Sequence, residues 1–257
     1  MTGETHSHIV KSFDEELKHL NQTIARMGGM AESQLASAME SLVKRDSDLA
    51  SRVVSADPDL DQLEQEVENA AVRVLALRQP VATDLREIVS AFKIASDTER
   101  IGDYAVNIAK RALALNQMQP PGAFNALPRM SRLAQSIVKD TFDAYSERDA
   151  DKAVDVWHRD AEVDEMYTSL FRELLTYMME DPRSITAGTH LMFCAKNIER
   201  IGDLSTNVAE TVYYLVTGAY LDGNRPKGDT TSYTVVRNTE ATGQGDTDQN
   251  GGGEDSA

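Results

Sequence analysis

The pentapeptide Glu-Arg-Ile-Gly-Asp occurs twice in this 257-residue chain, at 99–103 and at 199–203. In each copy the Glu and the Asp stand four residues apart. On a helix, Glu99 with Asp103 and Glu199 with Asp203 therefore share one face, and Asn107 or Asn207 continues the stripe a turn later. Like charges at that spacing weaken a helix by about 0.2–0.5 kcal/mol. Burial adds to that cost unless a cation compensates. A second acidic pair precedes each pentapeptide: Asp57 with Asp61, and Asp160 with Asp164. If the helices bearing these pairs pack side by side, four carboxylates converge in each copy. All-oxygen clusters of this kind suit divalent or trivalent metals such as Mg, Mn, Fe or Zn. The candidate metal ligands are thus Asp57, Asp61, Glu99, Asp103, Asp160, Asp164, Glu199 and Asp203. Gly102 and Gly202 would let a neighbouring backbone or a bulky cluster come close.

Plainer readings compete. A single acid-x-x-x-Asp on a helix is most often a solvated face, and Arg100 and Arg200 could simply pair with nearby acids. Asp57 precedes Pro58 and so looks like an N-cap with proline at the first helical position. Asp160 precedes Ala161, so capping does not explain both copies. Other chemistry is missing from the sequence. There is no phosphate-cradling Gly-rich loop, no nucleophile elbow and no Glu-x-x-His pair of the kind a helical di-iron oxidase uses. His6 and His8 sit near the N-terminus, and His19, His158 and His190 share no ligand spacing, so all read as ordinary histidines. Cys194 lies in an apolar run and reads as a small core residue.

The elements that must position these acids follow from punctuation and period. Pro80, Pro120, Pro121, Pro128, Pro182 and Pro226 bound long stretches almost free of Gly and Pro. Between Leu85 and Leu115, Ile94, Ile101, Ile108 and Leu115 recur every seven residues. Ile88, Ala95, Gly102, Val106, Ala109 and Leu113 run beside them. That arc is wide enough to pack against two neighbours, with Glu99 at its edge and Asp103 just outside. The same procedure predicts six main helices near 9–45, 57–78, 82–116, 128–147, 160–180 and 184–218. Short helical pieces are expected at about 47–55 and 150–157. Short connections between such helices fold them back antiparallel. From Asp222 to Ala257 the chain is Gly-, Thr-, Asp- and Asn-rich and is expected to be a disordered acidic tail.

Composition narrows the function classes. A formal net charge of −16 opposes an electrostatic grip on nucleic acid. One cysteine permits no intramolecular disulfide, which fits a reducing compartment. The first residues lack the apolar core of a signal peptide, and no apolar run of membrane-spanning length follows. The expectation is a cytoplasmic protein that meets a membrane only through partners.

Self-comparison unites these observations. Residues 95–109 match 195–209 at Ala95/Ala195, the whole pentapeptide, Asn107/Asn207 and Ala109/Ala209. Residues 45–61 match 148–164 at Arg45/Arg148, Asp46/Asp149, Asp48/Asp151, Ala50/Ala153, Val53/Val156, Asp57/Asp160 and Asp61/Asp164. The two matches keep their order at offsets of 100 and 103, which marks a tandem duplication of a three-helix unit. The stretches RQPVATDLREIVSAFKIASDTERIGDYAVNIAK (78–110) and EDPRSITAGTHLMFCAKNIERIGDLSTNVAE (180–210) resemble the two halves of the PhoU family, regulators of phosphate-specific transport. The resemblance runs from about residue 8 to 220. It implies an all-α fold of two tandem, pseudo-symmetric three-helix bundles, at 8–118 and 124–220, followed by the tail at 222–257. It also implies that the eight acids bind metal ions or small clusters on the bundle surface. A family member is expected to be a non-enzymatic homodimer that works with the phosphate ABC transporter and a membrane sensor histidine kinase. It would restrain uptake and keep the phosphate-starvation response off. Pro58 inside the first acidic motif departs from the family pattern. The rival readings are a carboxylate-cluster metalloenzyme and a metal-free helical scaffold.

Overall fold

Long Gly- and Pro-poor stretches with a 3.6-residue apolar period fold as helices throughout. The computed structural model describes residues 2–118, 126–223 and 231, with side chains from residue 13 onward. The described residues form seven α-helices and one 3-10 turn, without strands. These are α1 (Thr2–Lys44), α2 (Ser47–Ser55), α3 (Asp57–Arg78), α4 (Ala82–Leu115), α5 (Ala126–Glu147), α6 (Ala150–Glu180) and α7 (Ile185–Thr217), with the turn at Pro182–Ser184. The tail expected to be disordered lies outside the described residues except at 222, 223 and 231.

One expectation is corrected. The piece predicted at 150–157 and the helix predicted at 160–180 are a single helix, α6, whereas their first-unit counterparts, α2 and α3, are separate. Proline explains the difference. Pro58 has no N–H to donate back one turn, and its ring would strike the preceding turn. The chain therefore ends α2 at Ser55 and restarts at Asp57 with Pro58 in the first turn. Ala161 keeps its N–H, and α6 runs through. The capping role read for Asp57 is also corrected: the N-cap is Ala56, which makes no side-chain capping bond. The caps lie at the other matched acids. Asp46 accepts from the Leu49 N–H at 2.8 Å and Asp149 from the Lys152 N–H at 3.0 Å. Arg45 and Arg148 precede them with φ of 57° and 55°, so the repeated Arg-Asp marks one turn used twice.

The wide arc of α4 is buried. Ile88, Ile94, Ile101, Ile108 and Leu115 are each at most 4% exposed. α4 packs against α1, α2 and α3 of its own unit and against α7 of the other. Two elements meet their own counterparts across the unit boundary, α4 with α7 and α1 with α5. One continuous apolar cluster joins the two units.

The α1–α5 seam depends on a missing side chain. A Cβ at Gly28 would lie 2.3 Å from Cδ1 and 2.4 Å from Cγ of Phe142, while one at Gly29 would meet nothing within 4 Å. Gly28→Ala is expected to cost about 1–3 kcal/mol through overpacking, despite alanine's helix preference. Gly29→Ala should instead stabilise by up to about 1 kcal/mol. Urea midpoints of the two variants test this, and shifts of the same sign would contradict the packing.

Candidate functional site

α3 lies beside α4 and brings the first acidic pair to the first pentapeptide. Asp57, Asp61 and Glu99 are half-buried, and Asp103 is exposed. Their fields overlap. The Glu99 carboxyl is pushed up to about 7, first by burial and then by the charges of Asp103, Glu64, Asp61 and Asp57. Asp57 is raised by burial, then by Asp103 and Asp61, with Lys110 opposing. Glu64 is a fifth member that the sequence reading missed. It is raised by burial, then by Glu68, while a hydrogen bond with Ser96 opposes, and Asp61 and Asp103 add smaller contributions. Its signal was present, three residues beyond Asp61 on the same helical face. The repeat hid it, because the matching position in the second unit is Tyr167.

In the second unit α6 and α7 gather the corresponding acids far deeper. Asp160, Asp164 and Glu199 are 1%, 3% and 5% exposed. Asp203 is half-buried. Thr206 donates its hydroxyl to Asp160 Oδ1 at 3.3 Å. Lys196 Nζ donates to Glu199 Oε1 at 2.8 Å, whereas Glu199 Oε2 is buried without a hydrogen-bond partner. Burial raises the Glu199 carboxyl to about 7, outweighing the pull of Lys196, and Asp203 and Asp164 push the same way.

The first unit thus brings its four acids into one neighbourhood, and the second sets Glu199 in the field of Asp164 and Asp203, with Asp160 held by Thr206. Among the described residues, however, no three His, Cys, Asp or Glu side chains close to metal-ligand geometry. To hold a cation, these carboxylates would have to change rotamer. The donor set is all oxygen, and the orphaned, buried Glu199 Oε2 is an acceptor short of a positive partner, so the chemistry fits an oxygen-preferring cation. The histidines lie elsewhere: His158 packs edge-on to Trp157 at 5.0 Å, His190 Nδ1 is 3.4 Å from Arg111 Nη1, and His19 is 3.5 Å from Glu66. The side chains of His6 and His8 lie outside the description. Cys194 is fully buried, as a core residue should be.

Packing requires only the first of the two pentapeptide glycines. A Cβ at Gly102 would sit 2.3 Å from Leu60 Cδ2, so Gly102 lets α3 seat a leucine against α4. A Cβ at Gly202 would meet Val163 Cγ1 at 3.4 Å, an ordinary contact. The two pentapeptide arginines part company. Arg100 Nη1 stands 3.7 Å from Asp97, while Arg200 Nη1 donates to the Tyr104 hydroxyl at 2.9 Å across the unit boundary. Beside them opens a polar cleft of about 430 Å³ that Lys196, Glu199 and Asp203 also line.

Comparison with known proteins agrees with this architecture. The PhoU domain family matches residues 24–112 and 127–212. A Caulobacter vibrioides protein named phosphate-specific transport system accessory protein PhoU homolog is 52% identical over 226 residues, covering 88% of this chain and 98% of its own. The Escherichia coli (strain K12) phosphate-specific transport system accessory protein PhoU is 38% identical over 211 residues, covering 82% and 88%. The crystal structure of PhoU from Pseudomonas aeruginosa superposes with a TM-score of 0.79 at 39% identity, covering 80% of this chain and all of that one. With two matched domains, near full-length relatives and a shared helical architecture, the chain belongs to the PhoU family.

Proposed function

We propose that this chain is a cytoplasmic, metal-bearing adaptor that links the ATPase subunit of a phosphate ABC transporter to a membrane sensor histidine kinase. In that role it restrains phosphate uptake and keeps the starvation response off when phosphate is plentiful. Membership of a family whose named relatives are accessory proteins of phosphate-specific transport supports the pathway. The observation that carries the adaptor reading is the doubled carboxylate cluster on an all-helical body. Asp57, Asp61, Glu99 and Asp103, together with Glu64, would hold a cation in the first unit, and Asp160, Asp164, Glu199 and Asp203 in the second. A bound Mg, Mn, Fe or Zn ion would supply positive charge where several carboxylates converge. The acids' own task is to present oxygen donors at the margin between two helices. No helix among the described residues is long and apolar enough to cross a membrane, so contact with membranes runs through partners in this reading. We place the working form as a homodimer.

Deleting the gene should release a phosphate-starvation reporter in phosphate-rich medium, and unchanged repression would sink the regulatory reading. Glu99→Ala combined with Glu199→Ala should lower the metal content of the purified protein and weaken repression by the full chain. Wild-type protein that takes up no metal on elemental analysis, with the double variant equally stable in added metal, would leave a metal-free scaffold.

A further inference from the structure

The second cluster already holds a cation, and that cation belongs to the chain. Lys196 Nζ is 2.8 Å from Glu199 Oε1 and 4.8 Å from the centre of the Tyr167 ring. Both partners are buried, Glu199 to 5% and Tyr167 to 5% exposure. The ammonium is thus gripped between a carboxylate and an aromatic face, each of which favours it. In the first unit the repeat register keeps the carboxylate, as Glu99, and replaces both the ammonium and the ring. Ser96 stands at the position of Lys196, and Glu64 at that of Tyr167. A short hydroxyl takes the place of the ammonium, and a further acid takes the place of the ring.

Burial gives the reason for the asymmetry. Asp160, Asp164 and Glu199 are almost wholly withdrawn from water, whereas none of the first unit's five acids is. A carboxylate that deep needs a counter-charge built into the fold, because stripping its hydration uncompensated is costly. A half-buried carboxylate can rely on water and on ions from solution. The built-in answer is incomplete, since Lys196 satisfies Oε1 and leaves Oε2 orphaned. Lys196 is also on a half-exposed site that borders the cleft beside Arg200 and Tyr104, so it has somewhere to go.

Resting on the metal-bearing reading above, we propose that Lys196 is the resident counter-ion of the second cluster, so that the two clusters take a divalent cation unequally. The first is open to it. The second accepts it only as the Lys196 ammonium withdraws toward the cleft. The duplicated motif is then one metal site and one competition site, with Lys196 a positioning residue for Glu199.

Calorimetric titration of the full chain with Mn²⁺ tests this on wild type, Lys196→Ser, Lys196→Arg and Glu99→Gln. Wild type should show a tighter and a weaker class of site, and Glu99→Gln should remove the tighter one. Lys196→Ser, which installs the first unit's residue, should strengthen the weaker class at least about tenfold by removing a like charge next to the ion. Lys196→Arg, which keeps that charge, should leave it weak. In chelator, Lys196→Ser should melt lower than wild type, and Mn²⁺ should restore it. Two unchanged classes in Lys196→Ser would overturn this inference and leave the metal reading standing. No Mn²⁺ binding by any of the proteins would sink both.

Discussion

Raising the pH of the metal-free protein from about 5.5 to about 8 should lower its stability by on the order of 3 kcal/mol. Glu99 and Glu199 are both held at about 7, against 4.5 for an ordinary glutamate, with burial the largest cause in each. Between those two values the folded state binds more protons than the unfolded chain. The stabilisation is therefore complete below about 4.5 and is lost as the pH rises through about 7. Glu199, which is 5% exposed, dominates. Glu99 is closer to water and contributes less after screening. Asp57, Glu64 and Asp97 are raised as well, burial again leading, so they act in the same direction. Urea unfolding in chelator at both pH values measures the effect. Glu199→Gln should remove most of the slope, and a wild-type profile that is flat or rising would refute the electrostatic account of the clusters. Saturating Mn²⁺ should flatten the slope, because a bound cation favours the ionised carboxylates.

Ala161→Pro should cost about 3 kcal/mol or more, whereas Pro58→Ala at the matched position should change stability little. Pro58 occupies the first turn of α3, where its missing N–H has no partner to lose. Residue 161 lies deep inside α6, between the buried Asp160 and Val163. A proline there would orphan the carbonyl one turn earlier, at Trp157, and bend the helix at the acidic pair. The chain reports on this itself, because Trp157 is its single tryptophan. The ring is 7% exposed, and its Nε1–H donates to Glu210 Oε1 at 2.8 Å. Ala161→Pro should therefore lower the thermal midpoint and shift Trp157 emission to longer wavelength. A neutral result would mean that the second unit is broken before residue 160, as its likeness to the first unit implies.

This pair of positions shows how far local pattern reaches. The helices, their order and the duplication were legible because period and identity are written along the chain. The arc from Ile88 to Leu115 needs no partner to be read, and the two pentapeptides fix the register of the repeat. The continuity of α6 has an equally local cause. Likeness between the units points to a break before residue 160, but the break itself comes from Pro58, whose matched position holds Ala161.

The acids divide the same way. Residue order alone establishes that each unit carries two carboxylate pairs with helical spacing, and which helices bear them. It could not determine their depth, because burial is set by how helices rotate and close on one another. Only the tertiary structure put Asp160, Asp164 and Glu199 out of reach of water while leaving Asp103 in it. Only the packing of α3 on α4 brought Glu64 into the field of Glu99, and only that of α6 on α7 laid Tyr167 beneath Lys196. Charge and spacing belong to the chain. The energy of a charge belongs to its surroundings, and those exist only once the helices have packed.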